Sequence, residues 1–290
     1  MKLNNKINKI VFIGMGLINS SLARDLKKYN FYNTSTAYSR RASTREKIKN
    51  LNLVDEVESD CKKAIIDADL IIIGVPVDSY EVILKNIIKY IKTGAIITDV
   101  GSVKKEVIKR ASKIIPKNIS FVPGHPIAGT EKSGPESGFS GLFKNGWCIL
   151  TPENNINKKD IKLIKIMWEK VGMKVDIMDA DHHDLVLAIT SHIPHIIAYS
   201  IVGTVADLEF SIKKEVIKYA ASGFRDFTRI AASDPTMWRD IALLNKASII
   251  KALELFKKDL NALEQAIQSD DGEFLFNLFS KTRKIRKDIT

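Results

Sequence analysis

Two kinds of chemistry-bearing segment stand out in this chain. The first is glycine-rich. Gly14-Met15-Gly16-Leu17-Ile18-Asn19 follows the apolar run Lys9 to Ile13 and opens a stretch with helical apolar spacing. A strand, two glycines and a helix start are the setting of a dinucleotide-binding turn. Gly14 would permit the tight turn, and Gly16 would let a pyrophosphate approach the backbone. The helix start at Leu17 and Ile18 then offers unpaired N–H groups and a partial positive charge to the phosphates. Asn19 stands where a third glycine is usual. That position serves helix–strand packing, so its change should adjust geometry rather than abolish binding.

A dinucleotide site of this kind normally carries a carboxylate after its second strand, for the ribose hydroxyls of NAD. None lies between Thr34 and Arg45. Ser39, Arg40, Arg41 and Thr44 form a polar, cationic cluster there instead, which points to the 2′-phosphate of NADP. Gly74-Val75-Pro76 and Asp99-Val100-Gly101-Ser102 end two further apolar runs. Ligands of open α/β sheets bind along that edge, so Val75 and Pro76 are expected at the cofactor and Ser102 near the nicotinamide. Ser102 is also placed to cap a helix beginning at Val103.

The second kind of segment is rich in histidine and arginine. Gly124-His125-Pro126-Ile127-Ala128-Gly129-Thr130-Glu131 lies just beyond a strand end. Ser191-His192-Ile193-Pro194-His195 sets two histidines three apart on a helix. Gly223-Phe224-Arg225-Asp226-Phe227-Thr228-Arg229 leads to Ser233-Asp234-Pro235-Thr236-Met237-Trp238-Arg239-Asp240. Imidazole exchanges protons near neutral pH, and guanidinium holds carboxylates bidentately. Plainer readings stand beside these: His192 and Trp238 as core, Arg239 and Asp240 as a surface pair. Asp181-His182-His183-Asp184 offers four ligand-type side chains in a row. Neighbours on a helix point apart, whereas helical metal ligands sit three or four apart. This run is therefore read as helix capping and surface polarity, and no metal is expected.

The elements that must position these residues divide into two sets. Lys9–Gly14, Thr34–Tyr38, Leu70–Val75, Ala95–Val100, Phe121–Pro123, Cys148–Thr151 and Lys174–Met178 read as strands. Helical stretches such as Leu17–Tyr29 and Arg45–Leu53 alternate with them. Such alternation implies βαβ units and a mostly parallel sheet. Beyond about Ala180 only helices are expected, over Asp184–Asp207, Lys213–Ala221, Pro235–Leu260 and Asn261–Ile285. The fold class is thus α/β: a Rossmann-like domain over 1–179, then an all-α domain over 180–290.

The order and content of these segments closely resemble the prephenate dehydrogenase family, nearest its cyclohexadienyl-type members, which also accept arogenate. The resemblance runs from about Lys9 to Ile285. It implies NAD(P)-dependent oxidation of prephenate at C4 with loss of its ring carboxylate as CO2. It makes His125 the acceptor of the C4 hydroxyl proton, with Ser102 hydrogen-bonded to the same hydroxyl. Arg229 matches the arginine that binds the ring carboxylate. His195 and Trp238 match substrate-pocket positions, Thr130 lies in the same motif as His125, and Glu131 with Arg225 matches a pair that gates the pocket. The resemblance also implies a homodimer paired through the helical domains. The apolar tail residues Leu260, Leu263, Ile267, Phe274, Leu275, Leu278 and Phe279 are consistent with that. A chain ending soon after its last helix is expected to lack an appended regulatory domain.

Composition agrees with a globular two-domain chain: 290 residues, 45% hydrophobic and 27% charged. The net charge of +11 and pI near 9.4 raise nucleic acid or anionic membranes as partners. The cations are scattered, as on a solvated surface, so the expected partners are small anions, with no nucleic acid and no membrane. The apolar runs are strand-sized and none is expected to span a bilayer. Cys61 and Cys148 cannot make a disulfide framework, so a cytoplasmic setting is expected, and the N-terminal apolar run reads better as a first strand than as a signal peptide. Two rivals remain. A β-hydroxyacid-type dehydrogenase would carry a catalytic lysine where Ser191–His195 stands. A non-catalytic basic binding protein would show salt-dependent nucleic-acid binding.

Overall fold

The computed structural model describes residues 7–208 and 210–288. Strands form where β-branched and aromatic residues run together. β1 (Ile7–Ile13), β2 (Tyr32–Tyr38), β3 (Glu56–Glu58), β4 (Leu70–Ile73), β5 (Ile96–Asp99) and β6 (Ser120–Val122) make one parallel sheet, ordered β3-β2-β1-β4-β5-β6. Strand order reverses between β1 and β4, which opens a crevice beyond their C-terminal ends. All four residues of β4 are fully buried, as an uninterrupted apolar strand covered on both faces must be.

The covering helices are α1 (Leu17–Lys28), α2 (Ala42–Asn50), α3 (Cys61–Ala64), α4 (Tyr80–Ile87) and α5 (Lys105–Ala111), joined later by α6 (Lys158–Lys170). Phe12, Leu22, Leu26, Ile72 and Trp168 belong to the core on one face of the sheet. Val11, Ile13, Ile71, Ile97, Tyr80 and Leu84 belong to the other. Alternation along the strands decides which residue serves which core.

A second sheet adds detail that the sequence pattern does not carry. β7 (Gly124–Ile127), β8 (Trp147–Leu150) and β9 (Lys174–Ile177) pair in that order, β7 antiparallel to β8 and β8 parallel to β9. Gly124–Ile127, expected just beyond a strand end, is thus itself a strand. Pro126 has no N–H for a ladder, and β7 is an edge strand, where that is tolerated.

From Ala180 the described chain is helical, as expected. α7 (Ala180–Leu187), a π-helical stretch (Ala188–His192) and α8 (Ile193–Ala206) form a continuous rod. Pro194 cannot donate to the carbonyl of Thr190, and the backbone widens just before it. The rod is long and apolar enough to cross a membrane by length and hydropathy, contrary to the expectation above. Its apolar residues are interrupted by His183, Asp184, His192 and His195, so no unbroken run shows. His183 and Asp184 are buried against the sheet domain.

α9 (Phe210–Tyr219), α10 (Ser222–Thr228), a 3-10 turn (Arg229–Ala232), α11 (Pro235–Leu244), α12 (Lys246–Gln268) and α13 (Gly272–Lys287) complete the fold. The expected single helix Pro235–Leu260 breaks at Asn245. The Asn245 side chain donates to the Asp184 carbonyl at 2.7 Å, which fixes the bend. α12 then runs through position 260 and stops only where Asp270 turns to φ 55°.

Candidate active site

At the crevice, Gly14 adopts φ +83°, and a Cβ there would lie 2.7 Å from Val75 Cγ1. Only glycine fits that turn. Gly16 is the N-cap of α1 and supplies no side-chain cap, and a Cβ on it would meet nothing within 4 Å. Open space before an uncapped helix start fits a pyrophosphate. Asn19 is 1% exposed, and its Nδ2 donates to the Gly14 carbonyl at 2.7 Å and the Ile72 carbonyl at 3.5 Å. It ties the turn to β4, a task no glycine could perform.

Beyond β2, Ser39, Arg40, Arg41 and Thr44 border the crevice edge. Arg40 and Arg41 are exposed and form no ion pair among the described residues. Arg45 shapes this loop by donating from Nη1 to the carbonyls of Ser39 (2.9 Å) and Arg40 (2.8 Å). Register brings Glu58 of β3 opposite Tyr38.

A buried polar cluster lies at the ends of β5 and β7. Lys104 and Asp99 are fully buried and pair at 2.6 Å. Asp99 also accepts from the N–H groups of Gly101 (2.9 Å) and Gly124 (3.1 Å) and from Tyr80 Oη (3.1 Å). Lys104 Nζ donates to the Gly124 carbonyl at 2.7 Å. Full hydrogen bonding offsets the desolvation of this ion pair. Both peptide groups of Gly124 are thereby pinned, which fixes the strand carrying His125. Burial, then the adjacent Asp99 carboxylate, push the Tyr80 phenol well above its usual range.

His125 Nδ1 lies 2.9 Å from His183 Nε2, and His183 Nδ1 lies 2.8 Å from Asp184 Oδ1. Burial holds His125 well below the ordinary histidine range, and His183, Lys104 and His192 oppose its protonation further. Burial also lowers His183, against its bond to Asp184. Asp184 accepts from the backbone N–H groups of Lys104 (2.9 Å) and Lys105 (3.0 Å), so the helical domain caps α5. Ser102 is therefore not that cap: α5 begins at Lys105, and the Ser102 hydroxyl bonds to none of the described residues. The reading of Asp181–Asp184 as surface polarity also needs correction. Asp181 and His182 are exposed and Asp179 caps α7, but His183 and Asp184 are 0% and 2% exposed.

The facing wall comes from the helical domain. His195 stacks on Trp238 with ring centroids 3.7 Å apart and donates from Nδ1 to the Ser191 carbonyl. His192 is buried, with Nδ1 3.2 Å from Asn245 Nδ2. Arg229 pairs with Glu131 at 3.2 Å. Among the described residues Glu131 and Arg225 do not pair. Arg225 folds back to donate to the Ala220 carbonyl at 2.7 Å, and Arg229, one turn on, takes Glu131 instead. Thr130 Oγ1 accepts from the Lys132 N–H in the same loop. Asp240 is buried and held by Arg239, so that pair is only half a surface feature.

Comparison with known proteins gives this arrangement a family. The family model for the prephenate dehydrogenase nucleotide-binding domain matches residues 22–177, and that for its dimerization domain matches 179–281. The chain belongs to the prephenate dehydrogenase family. A cyclohexadienyl dehydrogenase of Zymomonas mobilis is 41% identical over 277 residues, covering 96% of this chain and 94% of that one. A crystal structure of prephenate dehydrogenase from Aquifex aeolicus, in complex with hydroxyphenyl propionate and NAD+, superposes with a TM-score of 0.92. It is 34% identical and covers 99% of this chain and all of its own. Arogenate dehydrogenase from Synechocystis gives a TM-score of 0.81 at 29% identity, over 97% of this chain and 100% of that one.

As a member of the prephenate dehydrogenase family, the chain is an oxidoreductase with a nucleotide-binding sheet domain. Sequence reasoning did not assign Arg45, Asp99, Lys104, His183 and Asp184 the contacts they make around this crevice. The signal for Asp99 was available in outline, since it ends an apolar strand, where an unpaired charge could not be buried; Lys104, at the start of α5, carried no such signal.

Proposed function

We propose that this enzyme oxidatively decarboxylates prephenate to 4-hydroxyphenylpyruvate, and arogenate to tyrosine, in tyrosine biosynthesis. The observation that carries the reading is His125: a neutral imidazole at the sheet's functional edge, tied at Nδ1, with no partner for Nε2 among the described residues. A bound NAD or NADP would supply hydride acceptance at the nicotinamide. Gly14, Gly16, Leu17, Ile18, Val75 and Pro76 would hold it, with Ser39, Arg40, Arg41 and Thr44 around the adenosine end. His125 accepts the proton of the substrate's C4 hydroxyl, and Ser102, free of any capping duty, aligns that hydroxyl. Positioned general-base help of this kind is worth about 10²–10⁴-fold. Arg229 holds the ring carboxylate, and His195 on Trp238 orients the side chain, with Thr130 and Glu131 at the rim. Arg225 contributes through the fold of α10. The carboxylate leaves as CO2 as the ring becomes aromatic.

The adenosine end favours NADP, because two arginines without an ion-pair partner among the described residues stand there and the β2 exit carries no carboxylate. We take 1–179 and 180–290 as the two domains and a homodimer as the assembly. Absorbance at the reduced-cofactor band, with prephenate and arogenate each crossed against NAD and NADP, tests the substrate and cofactor assignments. Turnover of neither substrate would sink the reading. Replacing Arg40 by Asp and Arg41 by Ala should move preference toward NAD, and unchanged preference would remove the 2′-phosphate assignment.

A further inference from the structure

The buried chain His125–His183–Asp184 crosses from the sheet domain into the helical one, and its donors and acceptors can be assigned in one direction. The Asp184 carboxylate accepts backbone N–H groups on both oxygens, from Lys104 and Lys105. Ionised, it can only accept from His183 Nδ1 as well, so that nitrogen carries the proton. His183 Nε2 is then a bare lone pair, 2.9 Å from His125 Nδ1. His125 Nδ1 must therefore carry the proton of that contact, and its Nε2 is left as a bare lone pair. The opposite direction would set the His183 Nδ1 lone pair against the carboxylate at 2.8 Å.

We propose that His183 and Asp184 are positioning residues that lock His125 in its Nδ1–H tautomer and receive the charge formed when His125 accepts a proton. This rests on His125 being the proton acceptor of the reaction. When a proton arrives at Nε2, His125 becomes an imidazolium facing fully buried Lys104, an unfavourable neighbour. Transfer of the Nδ1 proton to His183 Nε2 leaves His125 neutral, now protonated at Nε2, and sets the cation on His183 beside Asp184. No co-reactant is needed. The groups facing this chain are Lys104 and Asp99 from β5 and its loop, Tyr80 from α4 through Asp99, Cys148 on the strand beside Pro126, and His192 from the π-helical stretch. The surrounding cations and the burial disfavour charge on His125, whereas the Asp184 carboxylate favours it on His183.

The test uses the full chain labelled with 15N-histidine, without substrate. Five histidines are present, and His125→Asn assigns the relevant signals. The expected pattern at pH 8 is a protonated, pyrrole-type Nδ1 and a bare, pyridine-type Nε2 for His125. A protonated Nε2 there overturns the proposal, whatever the enzyme turns over. His183→Gln keeps an acceptor carbonyl, and kcat should fall only about 10-fold. His183→Leu removes the acceptor, so kcat should fall about 10²-fold with the prephenate KM within about two-fold, and the acid limb of the pH profile should move down. A His183→Leu enzyme with wild-type kcat and an unchanged His125 signal would also overturn it. If that variant does not fold, the wild-type spectrum still decides. Absence of turnover with both substrates in the wild type would instead strike the proposed function, and the spectrum would stand apart from it.

Discussion

On one side of the cleft, Asp99, Lys104, His125, His183 and Asp184 are each no more than 8% exposed. On the other, the side chains of Arg229 and Glu131 are 61% and 36% exposed. The same contrast holds at the scale of the domains. The sheet domain has a filled core on each face, whereas the helical domain buries one small cluster around Ala188, Ile193, Ile249 and Ala252. In the helical domain Leu255, Phe276 and Phe279 are more than half exposed. Under the proposed roles, proton chemistry sits in the buried wall and substrate recognition where water still reaches. A base must sit within hydrogen-bond reach of one atom, so rigidity serves it. A carboxylate clamp must admit and release a charged molecule, which an exposed guanidinium does without first being desolvated.

If that division is real, perturbing the buried wall should cost much and the open wall little. The largest effect is expected at His125→Asn, with turnover down about 10³-fold and substrate binding retained. Near-normal turnover would remove His125 as the base and break the comparison at its centre. Next comes Lys104→Met, which leaves the Asp99 carboxylate buried without its cation. Stability should fall by about 3–5 kcal/mol in urea unfolding. Replacing Asp99 by Asn as well removes the orphaned charge while keeping an acceptor for the Gly101 and Gly124 N–H groups, and should recover much of that loss; a double substitution as damaging as the single one would refute the ion-pair account.

What could be read from the sequence follows the same divide. The glycine turn, most strands of the parallel sheet and the helical second half were legible, because periodicity and glycine positions are local properties of the chain; the strand order and the separate second sheet were not. His125, Arg229 and His195 were legible as motif residues. The buried chain behind His125 was not. His183 and Asp184 are adjacent in sequence to exposed Asp181 and His182, and only the docking of α7 on α5 separates buried from exposed within that run. The Glu131 partner was misassigned for a similar reason: Arg225 and Arg229 are four apart, and the loop geometry, not the spacing, selects between them. Pro126 hid β7 because a proline in a short run argues against a strand unless the edge is known.

Acid should weaken the buried wall selectively. His125, His183 and His192 are all held below the ordinary histidine range by burial, His192 to about 4. Unfolded histidine binds its proton near pH 6.5, so the unfolded chain takes up protons that the folded chain refuses. Stability contributed by the neutral histidines is complete above about pH 6.5 and falls with pH below it, for His192 down to about 4. At pH 5 the loss through His192 alone should be about 2 kcal/mol. Thermal unfolding between pH 8 and pH 5 would show it, and His192→Asn should flatten the slope. A Tm independent of pH over that range would mean these rings are not held neutral.

The smallest effects belong to the open wall, and they are the sharpest test of the contrast. Arg229→Ala should raise the prephenate KM about 10-fold while leaving unfolding free energy within about 0.5 kcal/mol, because an exposed ion pair is worth little. Glu131→Gln removes the other partner and should change stability no more. Its KM should fall slightly, since the guanidinium no longer has a competing carboxylate when the substrate arrives. Steady-state kinetics and urea titrations on the two variants separate the roles. A large stability loss in either would show that the Arg229–Glu131 contact joins the domains as a structural tie, and the open wall would then be as rigid as the buried one.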